Sequence, residues 1–288
     1  MTDASVEPTF LIIGGTTKAA TTSLFMYLRD HPEICGSSLK ETRYFLDPSY
    51  PLPIPRSYTD EASLGYEQYF GACAGESVRV EATPDYLYAA GTPDALHRHL
   101  DEVRCVFVLR NPIDRLRSWY RFARQNGHIP ESLGVRDYVE QQLDTTNADD
   151  SPQYWRALNQ GRYARFLQRY VAAFGEDGVL AVFFEHLTAD PGRVVKRIAR
   201  FAGVDPAFFD GYGFNVHNRT RTMKAPSVHA VYRRILRAIR YRVHQWPRVH
   251  DAFRGLRSWL DPLYLTLAAD DTAEAVDVPA DLRERLRC

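Results

Sequence analysis

The chain reads as an α/β protein of three layers, a central, mainly parallel sheet of four to five strands flanked by helices. Three observations point there. Short apolar runs alternate with stretches of helical periodicity from residue 10 to about residue 202. The first run breaks at Gly14-Gly15 into a hydroxyl-rich turn that leads straight into a helical pattern. With 288 residues, 45% hydrophobic and 25% charged, the chain has the material for a full core. Strands separated by helices imply right-handed βαβ crossovers, and such sheets bind ligands at the carboxyl ends of their strands.

The elements follow in order. Residues 10 to 14 form the first strand, and a helix is predicted near 21 to 30. Val78-Arg-Val-Glu-Ala-Thr83 is a second, shorter strand. A helical stretch near 92 to 102 precedes the third, Arg104-Cys-Val-Phe-Val-Leu109. Asn111-Pro112 reads as an N-cap with proline at the first helical position, and Asp114 adds a favourable first-turn charge, so a helix should run to about Gln125. Ser151-Pro152 predicts another long helix ending near Gly175 by the same device. Gly178-Val-Leu-Ala-Val-Phe-Phe184 is the fourth strand, followed by a helix from Pro191 to Ala202. Prolines 48, 51, 53 and 55 mark residues 46 to 66 as a surface loop.

The 36 acidic residues balance the 36 basic ones, which argues against a general nucleic-acid binder and makes any anion site local. Cys35, Cys73, Cys105 and Cys288 show no C-x-x-C spacing, so neither a disulfide framework nor a zinc site is expected and a reducing cytoplasm fits. The first eight residues lack the basic and apolar regions of a signal peptide, and no run of about 18 apolar residues occurs. A cytoplasmic protein without a transmembrane segment is the expectation.

Two anion sites fall at the carboxyl ends of the strands. Lys18, one of only four lysines in an arginine-rich chain, sits in the turn after the first strand, where a compact ammonium suits a single phosphate or sulfate oxygen. The third strand ends in Arg110, and Asn111, Arg115 and Ser118 share one face of the helix that follows. A Walker A loop needs Gly-Lys-Ser/Thr, which is absent, and a P-loop kinase wants a magnesium-binding aspartate where Arg110 stands. A small-molecule or nucleotide kinase is therefore the alternative reading, and it would require ATP and magnesium.

These stretches resemble the sulfotransferases that use 3'-phosphoadenylyl sulfate (PAPS). Thr17-Lys-Ala-Ala-Thr-Thr-Ser-Leu24 is similar to the family's 5'-phosphosulfate loop, P-K-[SA]-G-T-T-S-L, and Val108 through Ser118 to Tyr120 is similar to its 3'-phosphate motif. Further similarity covers His31–Ile34, Lys40–Phe45, Glu81–Tyr86, Gly161–Tyr163 and Glu185–Pro191, so the resemblance spans roughly residues 10 to 225. It implies a P-loop-like three-layer fold in a single domain, with a core of about 10–225 and a basic helical extension of about 227–288. It also implies PAPS as donor, adenosine 3',5'-bisphosphate as product and no required metal.

Residue by residue, the resemblance gives Lys18, Ala19, Ala20, Thr21, Thr22 and Ser23 to the phosphosulfate, and Arg110 and Ser118 to the 3'-phosphate. Arg219 and Arg221 fall in the family's late loop over the nucleotide. Glu41 matches the glutamate of the carbohydrate-type branch and is the candidate base, with His128 ranked behind it. Glu41 could instead pair with Lys40 or Arg43 on the surface. Glu81 is either an acceptor-site group or a structural ion-pair partner, Tyr86 is a further candidate acceptor contact, and Tyr163 reads as core. Two departures stand out: Thr17 replaces the family's proline, and Ala20 replaces a glycine although alanine resists positive φ. Ala20 and a chain that stops at Cys288 motivate a third reading, a non-catalytic PAPS or bisphosphate-binding module. The arginines of 227–259, with apolar residues at helical spacing, predict an amphipathic helix pair with a solvated basic face. The expected acceptor is a hydroxyl on a carbohydrate, a lipid or another small molecule such as a secondary metabolite, with no nucleic-acid partner.

Overall fold

The apolar runs become five parallel strands: β1 (Thr9–Gly15), β2 (Ile34–Gly36), β3 (Val78–Ala82), β4 (Val103–Leu109) and β5 (Val179–Phe183), in the spatial order β2-β3-β1-β4-β5. The computed structural model describes residues 7–52, 54, 57–59, 65–144, 152–215, 222–223, 269–270 and 276–286. β1 is central because both of its faces are apolar. Leu11 and Ile13 pack on one side with α1 (Thr21–Arg29) and α7 (Pro191–Ala202). Phe10 and Ile12 pack on the other with α2 (Thr92–His99), α5 (Tyr163–Phe174) and an aromatic layer from residues 44–70. All four β1 side chains are 0–5% exposed, as buried parallel strands require. The result is the three-layer P-loop-like architecture.

The chain divides into two compact units. The first, Met1–Arg115 with Leu158–Asn218, holds the whole five-stranded sheet and also α6 (Phe184–Ala189). The second comprises Leu116–Ala157 and Arg219–Cys288. Its described elements include most of α3 (Pro112–Gln125), α4 (Val135–Leu143), an antiparallel pair β6 (Thr222–Met223) and β7 (Ala269–Asp270), and α8 (Ala280–Arg285). Within that unit Arg136 grips Asp281 through two bonds of 2.9 Å, and Arg117 reaches the Val276 carbonyl at 2.9 Å. The predicted basic helices of 227–259 lie outside the described residues.

Three expectations change. Ser151-Pro152 does not open a long helix: 3-10 turns at Gln153–Trp155 and Asn159–Gly161 intervene, and α5 starts only at Tyr163. Buried polar side chains hold that stretch, with Asn159 accepting from Arg165 at 2.6 Å and Gln160 from Arg115 at 2.7 Å. The second correction is Cys35 and Cys73, which form a disulfide with Cα atoms 5.6 Å apart. Strand β2 and the turn after Tyr66–Phe70 bring together two thiols that sequence spacing kept apart, so cysteine usage gives no argument for a reducing compartment. Lastly, α4 rises from a stretch that gave no helical signal. No helix among the described residues is long and apolar enough to cross a membrane.

Candidate active site

The carboxyl ends of β1, β3 and β4 lie side by side, because β1 pairs in parallel with both neighbours. The sequence folds tightly there for steric reasons. A Cβ on Gly14 would sit 2.5 Å from the Phe107 ring, and one on Gly15 would sit 2.3 Å from the Val108 carbonyl, so only glycines allow β1 and β4 to approach. Thr16 then donates its N–H to Val108 at 2.9 Å and ends the strand.

The turn that follows is left-handed at two residues, Lys18 at φ 72° and Ala20 at φ 60°. Alanine thus takes up the conformation that its Cβ disfavours by about 1–2 kcal/mol, and it does so as the N-cap residue of α1. The helix starts without a side-chain cap and without an acid in its first turn. Its leading N–H groups and dipole therefore favour an anion. Ala19, Thr21 and Ser23 are buried in this turn, while Ala20 and Thr22 are half-buried.

Arg110, at the end of β4, donates from Nη1 to the Lys18 carbonyl at 3.0 Å, so one cation buttresses the loop that carries the other. Its guanidinium lies 4.5 Å from the Phe184 ring centre, and its own carbonyl accepts from the Tyr163 hydroxyl at 2.8 Å. Asn111 caps α3 as expected, accepting from the Ile113 and Asp114 N–H groups, while its own N–H donates to Glu185 at 2.8 Å. Arg115 turns inward: 1% exposed, it bonds Thr16 and Gln160 and so clamps the end of β1. Ser118 is 3% exposed on the second turn of α3. Arg219 and Arg221 lie outside the described residues.

Beside β3 stands Glu41, left-handed at φ 63° with Arg43 at φ 56°. Those two and the pair in the Lys18 turn are the positive-φ non-glycine residues among those described, and all four flank the carboxyl edge of the sheet. The Glu41 carboxylate pairs with Lys40 at 3.3 Å and Arg43 at 2.9 Å and keeps about a third of its side chain exposed. Burial pushes its pKa up, but the charges and hydrogen bonds of Lys40 and Arg43 outweigh burial and leave it below the usual carboxylate value. Glu41 is therefore ionised and able to accept a proton at neutral pH.

Asp85 is a candidate site residue that the sequence reasoning missed, although it lies inside the quoted stretch Glu81–Tyr86. It accepts from the Tyr50 hydroxyl at 2.9 Å, and burial together with the Glu41 charge pushes it up to about 6. Two neighbouring carboxyl groups thus have their pKa values driven apart, a pattern typical of acid–base sites. Glu81 and Tyr86 are both 0% exposed, and Glu81's hydrogen-bond partners are hydroxyls rather than a cation. In the second unit His128 stacks on Tyr154 with ring centres 3.8 Å apart, and Tyr154 stacks on Trp119. Among the described residues the grouping with metal-ligand character is Cys35, Cys73 and Glu76, whose two sulfurs are bonded to each other.

An uncapped helix start follows the Lys18 turn that Arg110 buttresses, on a five-stranded parallel sheet, and such a start favours an anion. Comparison with known proteins narrows that reading: residues 80–212 match the sulfotransferase domain model. It is 27% identical over 228 residues to the bifunctional heparan sulfate N-deacetylase/N-sulfotransferase 2 of Bos taurus, covering 75% of this chain and 23% of that protein. It is 25% identical over 213 residues to the heparan sulfate glucosamine 3-O-sulfotransferase 3B1 of Homo sapiens, covering 73% and 49%. The crystal structure of a sulfotransferase from Alicyclobacillus acidocaldarius superimposes with a TM-score of 0.61 at 26% identity, covering 74% of this chain and 86% of that one. The matched region thus spans 23% and 49% of these two curated relatives' own length.

Proposed function

We propose that the chain transfers the sulfuryl group of PAPS to a hydroxyl of a carbohydrate, lipid or secondary-metabolite acceptor. The observation that carries this reading is the Lys18 turn: a left-handed loop feeding an uncapped helix, with the Arg110 guanidinium bonded to its backbone. A group with a 5'-phosphosulfate and a 3'-phosphate fits these residues, because two anionic ends need two cationic sites. Lys18 and the backbone of Ala19 to Ser23 would hold the phosphosulfate. By the resemblance, Arg110 and Ser118 would hold the 3'-phosphate, with Arg219 and Arg221 as further ligands. The donor supplies an activated sulfur–oxygen bond.

The chain's own residues do the rest. Glu41 takes the acceptor proton as the acceptor oxygen bonds to sulfur, and Lys18 stabilises the charge that builds on the departing bridging oxygen. Positioning and electrostatics account for most of the barrier reduction, as in phosphoryl transfer. Reaction at a hydroxyl rather than an amine belongs to this proposal, because the relatives include both an N- and an O-sulfotransferase by name.

Calorimetry with adenosine 3',5'-bisphosphate against ATP with magnesium tests the donor. Binding of the bisphosphate with no metal requirement is expected, and tight ATP-Mg binding without it would overturn the reading in favour of a kinase. Incubating the protein with isotopically labelled PAPS and an extract of its source cell, followed by mass spectrometry, identifies the acceptor by the gain of one SO3 group. Binding without any labelled product would leave a binding module instead.

A further inference from the structure

Residues 41 to 45 form a strap over the end of β3, and its anchors converge on one buried carboxyl group. Glu41 N–H donates to the Ala82 carbonyl at 3.0 Å, Arg43 N–H to the Thr83 hydroxyl at 3.2 Å and Phe45 N–H to the Tyr86 hydroxyl at 3.2 Å. Tyr44 N–H donates to the Thr42 hydroxyl at 3.3 Å. The Thr42 hydroxyl in turn donates to Glu81 Oε2 at 2.5 Å and lies 3.2 Å from the Tyr86 hydroxyl. The Thr83 hydroxyl reaches the same Oε2 at 3.5 Å. Tyr86 is itself fixed from α5, where Tyr170 donates to its carbonyl at 2.5 Å.

We propose that Glu81 is a positioning residue for sulfuryl transfer: its hydrogen bond to Thr42 holds the left-handed backbone at Glu41 and Arg43 and so aims the Glu41 carboxylate, while Glu81 touches neither donor nor acceptor. The proposal rests on the reading of Glu41 as the base. A left-handed pair of side-chain-bearing residues persists only where its surroundings over-determine it, and here the surroundings are hydroxyl groups gathered on Glu81. Its chemical state fits that task. No cation bonds it among the described residues, its Oε1 is buried without a hydrogen-bond partner, and the Tyr66 hydroxyl is likewise buried and unbonded. Burial outweighs the hydroxyl donors and lifts Glu81 to about 7, while burial and the Glu81 charge keep both Tyr66 and Tyr86 protonated. In its protonated form, which this shift extends to about neutral pH, Glu81 acts as a hydrogen-bonding pin rather than as a charge.

The test compares Glu81→Gln, Glu81→Leu and Thr42→Val in the full chain. Three quantities are read: bisphosphate affinity by calorimetry, backbone amide exchange at 41–45, and release of bisphosphate from PAPS in the presence of the source-cell extract. Gln keeps an acceptor for Thr42, so Glu81→Gln should retain both strap protection and turnover. Glu81→Leu and Thr42→Val should bind the bisphosphate as the parent does, exchange the strap amides about tenfold faster and lose turnover by about 100-fold, the scale of a misplaced catalytic group. Thr42→Val, nearly isosteric, decides the matter should Glu81→Leu fail to fold. Parental strap protection in Thr42→Val overturns the proposal. So does a Glu81→Gln protein that keeps its strap and loses turnover, since Glu81 would then act chemically. A parent protein that fails to bind the bisphosphate sinks the sulfotransferase reading instead, and the amide exchange still decides whether Glu81 pins the strap.

Discussion

At the scale of single residues the site is a set of local compromises. Glu41 sits between two cations that hold it ionised but lower its basicity. Replacing Glu41 by Gln removes the proposed proton acceptor and leaves the Lys18 turn untouched, so transfer should fall by about 10²–10⁴-fold, the usual contribution of a general base. Bisphosphate affinity by calorimetry should not change. Lys18→Ala differs, losing both rate and affinity. Ala20 invites the opposite experiment. Because it occupies φ 60°, Ala20→Gly relieves the Cβ clash and should stabilise the protein by about 1 kcal/mol after the unfolded-state entropy of glycine is subtracted. Denaturant midpoints measure this directly. Lys18 and Arg110 could be singled out in the sequence by loop composition and motif spacing, and Glu41 by the resemblance alone. The left-handed backbone at Lys18, Glu41 and Arg43 was not, since none of these residues advertises positive φ as glycine does. Asp85 escaped for a related reason: its meaning comes from Tyr50 and Glu41, which only the fold brings near.

At the scale of elements, β1 and β4 are matched by the glycines that let them touch. Gly14→Ala would drive a methyl group into the Phe107 ring, which is already packed against Tyr170 at 4.5 Å. Overpacking of this kind costs about 1–3 kcal/mol, and a double variant with Phe107→Leu should recover part of that loss in urea denaturation. The main strands were readable because their apolar runs are continuous, as buried parallel strands demand. The three-residue β2, Ile-Cys-Gly, is too short to give a pattern. The proline signal at 152 misled because buried Asn159 and Gln160 found partners in Arg165 and Arg115, which favoured 3-10 turns over a continuous helix.

At the scale of the whole molecule, buried carboxyl groups dominate the response to pH. Glu81 is raised from 4.5 to about 7 and Asp85 from 3.8 to about 6. An acid with a raised pKa in the fold favours folding in its protonated form, so the stability it lends is complete below the unfolded value and drains away as pH rises through the folded one. The protein should therefore lose stability from pH 3.8 to about 7 and level off above, with Glu81 alone accounting for up to about 3 kcal/mol. Glu81→Gln should flatten most of that slope in urea midpoints taken across the range. The Cys35–Cys73 bridge has a consequence of another kind. It turns the stretch between its two cysteines into a covalent ring that includes the base segment and the proline-rich loop. A protease cut anywhere inside the ring leaves both pieces tethered, so a nicked chain should migrate as one band on a non-reducing gel and as two once reductant is added. The fragment bearing Glu41 would then remain tied to the fragment bearing Arg110 even after the backbone between them is severed.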